Sequence, residues 1–121
     1  RTLTAQNLEN LWLELNRKYY GVDFALDEEL AAEWSRIPHF YRPFYVYKYA
    51  TGYAAATCFA ESILQESPGA RENYLRFLSS GGSDYSLNLL RSAGVDLNSP
   101  EPIKALMEKF NEKLSELESL L

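Results

Sequence analysis

One stretch of the chain concentrates side chains able to act on a carbonyl group. Residues 37 to 56, IPHFYRPFYVYKYATGYAAA, hold five of the nine tyrosines and the only histidine, His39. A buried ring contributes area, but each phenol also requires a hydrogen-bond partner, so tyrosine is a poor default core filler. His39, Tyr41, Tyr45, Tyr49 and Tyr53 therefore read as the lining of a site. Neutral donors aimed at one oxygen can hold a peptide carbonyl and stabilise the oxyanion formed when a nucleophile adds to it. Losing one such donor typically lowers turnover by about 10²–10³-fold. The same residues also fit an aromatic-rich helix packed in a core with its hydroxyls at the surface, and His39 a satisfied structural histidine.

The element that must position these rings is a helix expected to begin near Pro43, where a proline at the first helical position costs nothing, and to run to about Ser67. On it Tyr45 and Tyr49 are four apart and share a face, with Gly52 or Tyr53 one turn further on. Tyr47 would point about 200° away from Tyr45. His39 and Tyr41 fall just before the helix, on a loop tied between Pro38 and Pro43. The small residues Ala50, Thr51, Gly52, Ala54, Ala55 and Ala56 would let neighbouring helices approach closely, which makes this the central helix.

The other segments show helical spacing as well. Thr4 is a plausible N-cap for a helix carrying Leu8, Leu11, Leu15 and Tyr19, with Gly21 where a left-handed cap would sit. Asp27 can cap DEELAAEWSRI, which must stop near Pro38 because a pre-proline residue is pushed out of the helical region. ARENYLRFLSS restarts the chain after Gly69. Ser83 or Asp84 caps DYSLNLLRSAG, closed by Gly94. Ser99 caps a last helix with Pro100 in its first turn, on which Ile103, Leu106, Met107, Phe110, Leu114 and Leu117 trace an apolar stripe. Its C-terminal part is too short for a sustained coiled coil, so the stripe is expected to pack within the chain. No segment shows a period of two. The expected fold is all-α, about six helices in a compact bundle forming a single domain over residues 1–121.

Composition narrows the function. A net charge of −5 on 121 residues argues against a nucleic-acid binder, which needs clustered Lys and Arg. Cys58, the only cysteine, allows no internal disulfide, and its apolar setting AAATCFAES predicts an inert buried thiol. No metal site is expected within the chain. Catalytic zinc takes about three protein ligands, and beyond His39 and Cys58 these would have to be carboxylates such as Glu33 or Glu61. SSGGSDYS lacks the lysine and length of a phosphate loop and reads as an interhelical turn. No signal peptide or bilayer-length apolar run is evident, so the chain is expected to be cytoplasmic and free of membrane.

The run IPHFYRPFYVYKYATG, preceded by LWLELNRKYYG and followed by FLSSGGSDYSLNLLRSAGVDLNSPEPI, resembles the C-terminal part of the oligoendopeptidase F family of thimet-oligopeptidase-like zinc metallopeptidases. The likeness runs from Thr4 to about Phe110. It implies a largely helical, cytosolic enzyme that cuts short peptides with a zinc held by an HExxH pair of histidines and a downstream glutamate. This chain contains no HExxH, so the resemblance places the catalytic base and zinc ligands upstream. The start at Arg1 rather than Met fits that reading, which expects a C-terminal fragment that is inactive by itself.

In that family a histidine followed by tyrosines faces the zinc and binds the substrate carbonyl in the transition state. His39 matches the histidine. Tyr45 and Tyr49 are the best candidates for the tyrosines, with Tyr41 next, Tyr53 weaker and Tyr47 least involved. The implied partners are short peptides and the upstream HExxH-containing part of the same protein, whose absence would expose an apolar face and lead to self-association. The alternative is a helical interaction module that docks a protein on its tyrosine-rich face.

Overall fold

The structure is a computed structural model and describes residues 2–121. All its regular elements are helical, as expected: five α-helices and two 3-10 helices among the described residues. They fall into two compact units, residues 1–46 and 47–121.

The first unit is built on α1, Ala5–Tyr20. Thr4 caps it as expected, its hydroxyl accepting the Asn7 backbone N–H at 3.2 Å. Gly21 ends it at φ 89°, a backbone conformation costly for any residue with a Cβ, and its N–H returns to the Arg17 carbonyl. The DEELAAEWSRI segment winds as a 3-10 helix, Glu28–Arg36, that packs on α1. A second 3-10 turn, Pro38–Tyr41, follows. The rings of Phe40 and Trp12 meet in a T-shaped contact with centroids 5.9 Å apart, fastening this turn to α1. The indole N–H groups of Trp12 and Trp34 are both buried without an acceptor, a cost of about 1–3 kcal/mol each that ring packing must offset.

The second unit contains α2 (Lys48–Leu64), α3 (Ala70–Ser80), α4 (Ser86–Ser92) and α5 (Glu101–Glu118). Within it α2 is central, touching both α3 and α5. Its small residues permit this, Ala54 and Ala55 being buried at 0% and 6% exposure. Phe59 anchors the core, its ring 5.2 Å from Tyr74 and 5.3 Å from Phe77 on α3. Ala93 and Val95 complete it, with Cys58, Leu90 and Leu97 packed against it.

Val95 reaches the core through the end of α4. Gly94 takes φ 97°, its N–H bonds the Arg91 carbonyl, and the Val95 N–H reaches back to Leu90 at 2.9 Å. This paired closure satisfies two terminal carbonyls and turns Val95 inward to 4% exposure.

Three expectations need correction. The helix expected from Pro43 begins at Lys48 instead, because Arg42 is extended before Pro43 (φ −117°, ψ 114°) and Phe44 takes φ 57°, which no α-helix tolerates. Tyr45 therefore lies before the helix, and the shared Tyr45/Tyr49 face does not form. The cap positions of the last two helices also differ. Ser86 opens α4 after Tyr85, whose N–H bonds the Asp84 carboxylate at 2.6 Å, and α5 opens after Pro100, while the Ser99 hydroxyl accepts from Glu101 N–H at 3.4 Å. Finally, the apolar stripe of α5 is only partly packed within the chain: Leu106 is half-buried, but Met107, Phe110 and Leu117 are about half exposed.

Candidate functional site

The 3-10 turn at Pro38 places His39, and the left-handed Phe44 sends the chain back so that Tyr45 returns to it. The two rings lie 5.4 Å apart between centroids, tilted by 50°. Arg42, between them in sequence, sets its guanidinium carbon 5.8 Å from the Tyr45 ring centre, within reach of a cation–π contact. Pro38, His39, Arg42 and Tyr45 together line a hollow of about 220 Å³. His39 and Tyr45 are half-buried, a setting that limits their freedom and leaves them reachable.

This hollow offers an imidazole, a phenol and a guanidinium, all able to donate to an oxygen that gains negative charge. Sequence reasoning missed Arg42. The available signal was its spacing, three residues from both His39 and Tyr45, beside the proline that extends the backbone there.

Tyr41 has a different position. Its hydroxyl donates to the Ser35 carbonyl at 2.7 Å, so the phenol ties the second 3-10 turn to the end of the first. Its ring remains 64% exposed. Tyr49 and Tyr53 stand in the second unit, four apart on the first two turns of α2 and 62% and 68% exposed. Within the first unit His39 and Tyr45 thus come together with Arg42, and within the second Tyr49 and Tyr53 share a face of α2.

Beside that face the second unit carries an apolar groove of about 990 Å³. Gly52, Ala56 and Ala60 of α2 line it together with Tyr74 and Phe77 of α3 and Leu87 of α4. The spacing of four between these small residues was its sequence signal. Cys58 is half-buried rather than fully buried, and this burial pushes its pKa above the ordinary value.

Among the described residues no group of three or more His, Cys, Asp or Glu side chains could hold a metal ion. The residues present therefore do not fit a zinc site. No described helix is long and apolar enough to cross a membrane.

Residues 1–109 match peptidase family M3, and the chain belongs to that family. It is 50% identical over 119 residues to the oligopeptidase PepF of Bacillus subtilis, a match that spans 98% of this chain and 18% of that protein. Over 121 residues it is 46% identical to the group B oligopeptidase PepB of Streptococcus agalactiae, covering 100% of this chain and 20% of the relative. The crystal structure of oligoendopeptidase-F from Enterococcus faecium superposes with a TM-score of 0.85 at 44% identity, covering 99% of this chain and 23% of that one. The chain thus spans about a fifth of the length of the relatives it matches.

Proposed function

We propose that this chain supplies the substrate-binding, transition-state-stabilising C-terminal segment of a cytoplasmic zinc oligoendopeptidase that hydrolyses short peptides. The observation that carries the reading is the half-buried His39/Tyr45 pair in a hollow shared with Arg42, in a chain that belongs to peptidase family M3. In this account the His39 imidazole N–H and the Tyr45 hydroxyl donate to the scissile carbonyl oxygen and strengthen their hold as it gains charge. Tyr49 and Tyr53 also bind the peptide, and Tyr41 contributes its exposed ring while its hydroxyl fixes the loop. The zinc of the parent enzyme has its ligands outside this chain, so the 121 residues alone are inactive.

The test is a transplant. This chain replaces the segment it matches in the Bacillus subtilis relative, and cleavage of a quenched fluorescent peptide is followed. An active chimera in which Tyr45→Phe, Tyr49→Phe or His39→Ala lowers turnover at least about tenfold, with bound zinc unchanged, supports the reading. Full turnover in all three variants removes it. The tyrosine face of α2 favours a second reading, a docking surface for a protein partner, because Tyr49 and Tyr53 are both more than half exposed. A chimera that folds, binds zinc and never cleaves peptide would favour that reading instead.

A further inference from the structure

Gripping one carbonyl oxygen takes the His39 imidazole and the Tyr45 hydroxyl and leaves the Arg42 guanidinium, in the same hollow, without a task. The backbone fixes where this cation sits. Arg42 is extended before Pro43, and its N–H bonds the His39 carbonyl at 3.3 Å. Its guanidinium lies over the Tyr45 ring, a contact that engages the charge and takes up no N–H group. No hydrogen bond or ion pair among the described residues uses that guanidinium.

The surrounding sequence is equally selective about charge. Residues 34–60 contain no Asp or Glu, although the chain holds 17 of them in 121 residues, and they include Arg36, Arg42 and Lys48. Arg36 is paired with Glu33, and Arg42 is the cation of the hollow itself. A carboxylate at this point would capture the His39 and Tyr45 donors and repel an anionic ligand, so leaving it out keeps the hollow receptive to one. A guanidinium presents paired N–H groups that match a carboxylate, and the anionic groups of a peptide are carboxylates. At about 3.3–3.6 Å per extended residue, a cation 5.8 Å from the Tyr45 ring centre reaches a group within about three residues of the carbonyl held there.

We infer that Arg42 is a specificity-determining residue that selects peptides carrying a carboxylate close to the scissile bond, either the C-terminal one or an Asp or Glu side chain. This rests on the proposed role of His39 and Tyr45, whose hollow Arg42 shares.

The transplanted chimera tests it with paired peptides. In one pair the chain ends in a carboxylate or an amide shortly after the scissile bond. In the other, both members amidated, Glu or Gln stands at each position within about three residues of that bond. The expected result is a kcat/KM about five- to tenfold higher for the carboxylate member of one pair, a preference that Arg42→Gln removes and Arg42→Lys partly keeps. The ratio within a pair cancels any loss of turnover common to both members, and the pair that responds identifies the C-terminus or the acidic side chain as the source. Affinities of the same peptides for the zinc-free chimera, read by calorimetry, should follow the same order without depending on turnover. Failure of the carbonyl-binding role shows as full turnover in Tyr45→Phe. Failure of the Arg42 inference shows in a Tyr45-sensitive chimera as equal rates within both pairs, or as a preference that survives Arg42→Gln. An equal fall on every peptide in Arg42→Gln would overturn it too, and would assign Arg42 to holding the Tyr45 ring or to a carboxylate elsewhere in the polypeptide.

Discussion

Replacing Phe59 by alanine should remove a large part of the stability of residues 47–121. Phe59 is 8% exposed, contacts rings of α3 at 5.2 and 5.3 Å, and belongs to the cluster of Ala55, Ala93 and Val95. Truncating a buried phenylalanine costs about 3–5 kcal/mol, through lost transfer energy and the cavity left behind. Collapse around the vacancy is restricted here, because the alanines beside it have no side chain long enough to fill the space. At about 0.05–0.15 kcal/mol per residue, a unit of this size holds about 4–11 kcal/mol in all. With a urea slope of about 1 kcal/mol/M, the midpoint should drop by about 3–5 M, or the unit should be unfolded without denaturant. Urea titrations followed by far-ultraviolet dichroism measure this, with Leu78→Ala as a control. Leu78 is 55% exposed and its truncation should change stability by no more than about 0.5 kcal/mol. A loss below 1 kcal/mol for Phe59→Ala would refute the placement of the core.

Two further outcomes follow from single contacts. Thr4→Ala removes the hydroxyl that accepts the Asn7 N–H and should cost about 1 kcal/mol, read as faster amide exchange in the first turn of α1. Burial raises the Cys58 pKa, so at pH 8 the folded chain should react with a disulfide reagent more slowly than the chain in guanidinium. The raised value also sets the sign for stability. The unfolded thiol ionises first, so this contribution is fully present below the ordinary thiol range, above which rising pH erodes it until the folded thiol ionises too.

The helical architecture was legible because punctuation and periodicity agreed along most of the chain. Thr4 and Gly21 bracket α1, and Gly94 closes α4 with the geometry its position suggested. The stretch from 42 to 47 was misread because Pro43 suits a first helical turn equally well. What decides against a helix there is Phe44 at φ 57°, a conformation that nothing in its residue type announces. That misreading also obscured the site. A helix through Tyr45 would pair it with Tyr49, whereas the actual turn pairs it with His39 and brings Arg42 alongside. The stripe on α5 was visible as a pattern, but a period of three and four says only that a face is apolar, not what covers it.

The central claim is that Tyr45 and His39 stabilise the reacting carbonyl in a peptidase of family M3. The most direct measurement is the turnover of the transplanted chimera with Tyr45→Phe, beside the unmodified chimera, on one fluorescent peptide. The account predicts at least about a tenfold fall in kcat with zinc content unchanged, since the variant removes one hydroxyl donor and keeps the ring that packs beside His39. Equal turnover in the two chimeras would contradict it and leave the His39/Tyr45 contact a packing arrangement.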